Sequence, residues 1–377
     1  KSAKEKKRVR LMKKTLVANF LSLVIGFAVF ALVIKLAGLE NVLGAVKGFS
    51  PLYFVSFLAV SATLFCAATF RWKTVLSGEG TEVPFWTLLK YKFFVFSINY
   101  FTPAARLGGE PLKVLLLKKQ RIKSSKSFAS VVVDNFVGMG FDSFVAAIIL
   151  IAIVLTSATF PSQVKQLFLM AGLSLLAIVT AAYFVLVKKG KSVFSYLLEV
   201  AGRLTGTYKH RFFGILHEKV AKSEFYIREM LAKRPKTFFL ALFYAALGWP
   251  LTLLQYKLAL LTIGFNASLV QILLSVVVLS FTAMLPIPAA LGVQEAGQFS
   301  AFKLFSSNPH AGIALSLVLR IKDLILLLVS FFFISLEGID IFNVVNKKLA
   351  EIVNSKTVNS NNRKRRGRRN AKSERKR

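Results

Sequence analysis

The stretches Leu16 to Ile34 and Leu324 to Leu336 contain no charged side chain, and no other feature restricts the fold of this chain as much. A helix of ~20 apolar residues crosses the ~30 Å hydrocarbon core of a bilayer, whereas a helix on a water-soluble protein keeps one polar face. Other segments share this character, and the sequence reads as an all-α integral membrane protein with about six full spans: Leu16 to Leu36, Pro51 to Phe70, Ser127 to Thr156, Gln166 to Val187, Lys236 to Thr262 and Ala311 to Leu336. Composition agrees, with 55% apolar residues and 36 Phe among 377. The single cysteine, Cys66, lies in an apolar stretch, so neither an internal disulfide nor a cysteine metal cluster can form.

Two further apolar regions, 85–117 and 268–305, are broken by one recurring phrase. It reads Pro103-Ala104-Ala105-Arg106-Leu107-Gly108-Gly109-Glu110 in the first and Pro288-Ala289-Ala290-Leu291-Gly292-Val293-Gln294-Glu295 in the second. Each copy sets a helix breaker, glycine and a carboxylate in apolar surroundings, the mark of a broken membrane helix in a transporter-like repeat. Both regions are therefore expected to be re-entrant, dipping into the bilayer and leaving on the side they entered.

The distribution of charge supports this reading. The formal net charge is +34, and most of the 51 Lys and Arg fall in residues 1–14, 71–126, 188–236 and after Gly338. With a cytoplasmic N-terminus and two re-entrant regions, all four basic blocks lie inside. Treating either broken region as a full span would put one of them outside, against the positive-inside rule. Both termini are then cytoplasmic, and the plasma membrane is the expected location. The same assignment gives two halves of opposite orientation, an inverted repeat whose irregular backbone occupies corresponding positions and can surround a site near the midplane. Unpaired peptide groups at that depth survive only where protein or a wet cavity satisfies them.

The expected organisation is a basic cytoplasmic N-terminus (1–14) and a transmembrane domain (15–338), followed by a disordered polybasic tail (339–377). Within the domain lie repeat one (15–157), repeat two (166–338) and a cytoplasmic insertion (188–236). The first span reads as a retained signal anchor, because its apolar core is longer than that of a secretory signal and no small-residue cleavage site is clear. The insertion interleaves apolar and basic residues, which fits either helices on the cytoplasmic leaflet or a solvated helical hairpin. The tail, with Arg363-Lys364-Arg365-Arg366-Gly367-Arg368-Arg369, is suited to anionic inner-leaflet headgroups, at about 1 kcal/mol per basic residue. Nucleic acid is the lesser reading of that charge.

Chemistry concentrates in the embedded ionisable groups, which are expensive in a bilayer and mark function by default. Glu110 and Glu295 follow the two glycine turns, and Arg106 and Lys113 flank the first. Asp134 follows Glu110, and Arg320 follows Glu295, at nearly equal spacing into the next span. Arg106, Lys113 and Arg320 can hold a phosphate, and helices opening after Gly108 and Gly292 present N–H groups to the same anion. The glutamates can meet a cationic headgroup or exchange a proton; alternatively each only caps its own broken helix. Arg320 and Asp323, three apart on a helix, can neutralise each other, and Asp142 reads as structural or pore-lining.

The segment from Asn99 through Pro103, Arg106, Gly109 and Glu110 to Lys113, together with Pro288, Gly292, Val293, Glu295 and Ala296, resembles the lysylphosphatidylglycerol synthase transmembrane-region family, also called flippase-like or UPF0104 proteins. Arg320 matches an arginine usual in the family's last span. Two departures stand out. The family often has an acid-arginine pair where this chain has Asp134-Asn135, and usually has extra glycine before Gly-Val, where Ala289, Ala290 and Leu291 stand here.

The resemblance implies a translocase without the soluble synthase domain of the bifunctional members, and therefore no enzyme and no cofactor. The expected cargo is an anionic or aminoacylated phospholipid. Alternatives are a polyprenyl-phosphate-linked sugar, or a non-transporting scaffold for a glycosyltransferase or lipid-modifying partner. The residues themselves show no metal-ligand spacing among His210, His217 and His310, no Gly-rich phosphate loop after a strand and no serine elbow.

Overall fold

The computed structural model describes residues 48–102, 108–156, 162–188, 211–282, 287–305 and 308–336, with Glu199, Arg203 and Leu285. The basic N-terminus, the first expected span, the polybasic tail, Pro103 and Arg106 lie outside these residues. Every regular element described is helical: α1 (Pro51–Gly78), α2 (Phe85–Phe101), α3 (Glu110–Lys119), α4 (Ser124–Thr156), α5 (Ser162–Lys188), α6 (Arg211–Lys233), α7 (Pro235–Thr262), α8 (Leu269–Thr282), α9 (Val293–Phe305) and α10 (His310–Leu336). A 3-10 turn, Pro288–Ala290, separates α8 from α9.

Helices stand at each remaining expected span. Three of them, α1, α4 and α7, are long and apolar enough to cross a membrane by length and composition. Helix α10 is as long, but Arg320, Lys322 and Asp323 sit near its centre. Large apolar side chains on the outer faces remain uncovered, with Leu52 74%, Leu155 77% and Leu328 69% exposed. For a protein in water such a surface would be a liability; against lipid tails it carries no penalty.

Helices α1 and α7 form the central pair. The Ser50 N–H donates to the Thr262 carbonyl at 2.8 Å, and at the other end Arg234 pairs with Glu79 at 2.8 Å, so the two run antiparallel along their whole length. Proline sits in the first turn of both, where its missing N–H costs nothing. Between them Gln255 Nε2 donates to Ser61 Oγ at 2.6 Å. Around the Ser50 end packs a core of Phe57, Tyr256, Leu260, Phe302 and Leu315.

Each broken region is a helical hairpin. Helix α2 runs back along α1, with Phe70 stacked on Phe85 at 4.4 Å and Phe65 on Phe93 at 4.6 Å. It therefore starts at the Gly78 end of α1. Helix α8 starts just beyond the Thr262 end of α7. Because α1 and α7 are antiparallel, the hairpins enter the bundle from opposite ends.

In the insertion, α6 presents Ile227 and Met230 to Val75 of α1, Val133 and Val137 of α4, and Ala241 and Ala245 of α7. Its C-terminal half is docked on the bundle rather than solvated all round. Phe225, 57% exposed, points away from that contact.

Candidate functional site

The first hairpin turns on a close approach. Asn99, in the last turn of α2, accepts the Gly109 N–H through Oδ1 at 2.6 Å. A Cβ on Gly109 would lie 2.7 Å from the Val95 carbonyl oxygen, so no larger residue fits there without moving backbone. Glu110 then opens α3, where the helix dipole favours a carboxylate. One turn on, Lys113 Nζ lies 3.0 Å from Glu110 Oε2 and 3.5 Å from Asp134 Oδ2. Asp134 also accepts from Arg71 Nε at 2.8 Å.

The result is a chain of alternating charge, Glu110, Lys113, Asp134 and Arg71, that ties the hairpin to α4 and α1. Lys113 is capped further by the Trp72 ring, 5.4 Å from its ammonium, a favourable cation–π distance. Asn135 stands where the resembled family often has arginine, yet Asp134 does not lack a guanidinium, because α1 supplies Arg71. That guanidinium packs against Gly138, where an added Cβ would come within 2.6 Å of it.

The second hairpin is held differently. Gly292 has φ 76, and Ala289 and Ala290 share the left-handed region at φ 53 and φ 50, a conformation that costs a non-glycine residue roughly 1–2 kcal/mol. Their carbonyls are turned toward Arg320, which donates Nη1–H to Ala289 and Nη2–H to Ala290, the latter at 3.2 Å. Arg320 Nε donates to Glu295 Oε1 at 2.9 Å. Glu295 is wholly buried, and its other oxygen, Oε2, has no hydrogen-bond donor among the described residues. The family's usual glycine is absent from a turn that would suit it, and one guanidinium satisfies the peptide groups of the strained alanines.

Between the hairpin tips lies a cavity of about 370 Å³. Asn99, Tyr100 and Thr102 line it from the first tip, Ile287, Ala289, Ala290 and Gln294 from the second, Ser61 and Gln255 from the central pair, and Lys92, Lys322 and Asp323 complete it. Such a volume is in the ~300–1,000 Å³ range of small-ligand sites.

The expected site residues fall into two shells. Asn99 borders the cavity, and Gly109 bonds to it. Gly108 packs on Thr102, a cavity residue, and Pro288 is buried in the second tip. Glu110, Lys113, Asp134, Glu295 and Arg320 do not line the cavity; they anchor its walls. Three expectations therefore change. Arg320 does not neutralise Asp323: the Arg320 side chain faces α9, and Asp323 pairs with Lys322 at 3.2 Å. Lys113 and Arg320, expected to hold a phosphate, already have carboxylate partners. Neither glutamate is only a helix cap, since each is tied to a cation, Lys113 or Arg320. Asp142 accepts from Trp249 Nε1 at 3.1 Å, a structural contact between α4 and α7.

Sequence reasoning missed Lys92, Gln255 and Lys322 as cavity residues, and Arg71 as a partner of Asp134. Lys92 was legible, being a cation amid apolar residues; the others needed the neighbouring helices in place.

Comparison with known proteins agrees with this architecture. Residues 19–330 match the family described as the lysylphosphatidylglycerol synthase TM region. A UPF0104 membrane protein of Pyrococcus horikoshii is 24% identical over 347 residues, covering 88% of this chain and 98% of its own. Two UPF0104 membrane proteins of Methanothermobacter thermautotrophicus are 27% and 23% identical, each over 84% of this chain and over 91% and 92% of their own lengths. The chain therefore belongs to the lysylphosphatidylglycerol synthase transmembrane-region family of helical membrane proteins.

Proposed function

We propose that this protein is a lipid translocase that passes the headgroup of an anionic or aminoacylated phospholipid between leaflets through the cavity where the two hairpin tips meet. The observation that carries the reading is that meeting: the end of α2 and the turn between α8 and α9 converge on one cavity, lined by polar and charged groups among apolar ones and flanked by apolar, outward-facing helices. Broken helices and buried charges are costly in a bilayer and are retained where they line a pathway.

The contacts between elements also favour two halves of inverted orientation. Helix α1 packs on α7; α2 packs on α10 while α8 packs on α4; α3 packs on α4 while α9 packs on α10. Exchanging α1 with α7, α2 with α8, α3 with α9 and α4 with α10 leaves this pattern unchanged, as a pseudo-two-fold axis would. In this reading each hairpin moves with the helix its charge cluster binds: the first with α4 through Lys113 and Asp134, the second with α10 through Arg320. Rocking of one unit against the other opens the cavity to one leaflet and then the other. Placement in the plasma membrane with both termini cytoplasmic, and the absence of a chemical step, belong to the same proposal.

The test is leaflet exchange of labelled phospholipid in proteoliposomes. Glu110→Gln and Glu295→Gln keep an acceptor oxygen for Lys113 and Arg320, so both variants insert and fold, but exchange falls to the protein-free rate. Wild-type exchange in both would remove the central-site reading and favour a scaffold.

A further inference from the structure

We propose that Lys92 is the anion-binding residue of the cavity and that the described charges lining it select a lipid whose headgroup carries a single negative charge, a phosphodiester without an amine. The inference rests on the translocase reading for its biological setting, but concerns binding alone.

Among the described residues, three charged side chains line the cavity. Lys322 and Asp323 are within 3.2 Å of each other and cancel. Lys92 comes from the opposite wall, the middle of α2, and makes no ion pair among the described residues, whereas Lys113, Arg71 and Arg320 each have a carboxylate. Among the described residues the lining therefore carries one positive charge, Lys92, that is not held in an ion pair. An ammonium taken partly out of water without a counter-charge is unfavourable, and an entering anion relieves that cost.

The sign and size of this charge sort the candidate cargoes. A lysyl-phosphatidylglycerol carries two ammonium groups against one phosphate, a net cation, and Lys92 would repel it. A phosphatidylcholine is neutral overall. A polyprenyl phosphate monoester approaches two negative charges at neutral pH, its second pKa being ~6, and a diphosphate exceeds that; each carries more charge than the single free cation among the described lining residues matches. A phosphodiester with a neutral hydroxylated headgroup matches. Its phosphate can take Lys92, and its hydroxyls face Asn99, Tyr100, Thr102 and Gln294, which supply donors and acceptors on both hairpin tips. At about 370 Å³ the cavity accommodates a headgroup while the acyl chains remain among the lipid-facing helices.

The experiment uses the full-length protein in neutral-lipid nanodiscs, titrated with short-chain phosphatidylglycerol, lysyl-phosphatidylglycerol, phosphatidylcholine and a short polyprenyl phosphate. The wild type prefers phosphatidylglycerol to the other three. Lys92→Gln weakens phosphatidylglycerol about tenfold or more, the scale of one charge-assisted contact, and leaves phosphatidylcholine unchanged; Lys92→Arg retains the preference and shows that the site still folds. Asp323→Asn frees Lys322 and shifts preference toward the polyprenyl phosphate. Equal phosphatidylglycerol binding by wild type and Lys92→Gln, or a wild-type preference for lysyl-phosphatidylglycerol or polyprenyl phosphate, overturns the proposal. Lys92-dependent binding without leaflet exchange would instead sink the translocase reading and leave this one standing. Undiminished exchange in Lys92→Gln together with phosphatidylglycerol binding equal to the wild type would do the reverse.

Discussion

Arg320 shows how one residue can hold a broken helix together inside a membrane protein. Its guanidinium binds the Glu295 carboxylate and two carbonyls of the strained turn, so a single planar fork neutralises a buried charge and satisfies irregular backbone. Arg320→Met leaves Glu295 as an uncompensated buried anion, and the expected loss is about 3–5 kcal/mol, read as thermal unfolding in detergent. Adding Glu295→Gln removes the stranded charge and recovers part of that loss, with the orphaned Ala289 and Ala290 carbonyls accounting for the remainder. A single-variant loss below about 1 kcal/mol, the worth of an exposed pair, would mean that water reaches the site. The sequence showed that Glu295 and Arg320 were embedded and expensive. It did not show that they were partners, because Asp323 lay nearer along the helix and only the packing of α9 against α10 decided the pairing.

At the scale of the element, the first hairpin depends on contact between the end of α2 and the start of α3. Gly109→Ala would drive a Cβ to within 2.7 Å of the Val95 carbonyl and 3.1 Å of Asn99 Oδ1, breaking the bond that closes the turn. We expect a loss of roughly 1–3 kcal/mol, the scale of overpacking, together with faster proteolysis between α2 and α3. A variant as stable as the wild type would show that the tip rearranges freely. Both broken helices were legible from the proline, glycine and glutamate they share, since these residues break helices and open new ones for local reasons. The docking of α6 was not legible: its alternating apolar and basic residues suit a lipid surface and a protein surface equally, and the partner side chains come from α1, α4 and α7.

For the whole molecule, the antiparallel central pair requires the two hairpins to enter from opposite ends. Starting from a Cys66→Ser background, Glu82→Cys, at the α2 entrance, and Asn266→Cys, at the α8 entrance, sit on exposed residues. A membrane-impermeant thiol reagent added to intact cells is expected to label Asn266→Cys at once and Glu82→Cys only after permeabilisation. Labelling of both from one side would dismantle the opposed halves and the alternating-access reading with them.

The apolar stretches, the placement of the basic residues and the repeated phrase were enough to specify a helical membrane protein with two broken segments, because hydrocarbon excludes unpaired peptide groups and charge regardless of what packs nearby. Tertiary structure alone decided which charges would be spent on each other and which would face open space. Asp134 with Arg71 and Glu295 with Arg320 are matched by helices far apart in the chain, leaving Lys92, Lys322 and Asp323 at the cavity. Pairing at those distances is a property of packed surfaces, and linear spacing does not encode it.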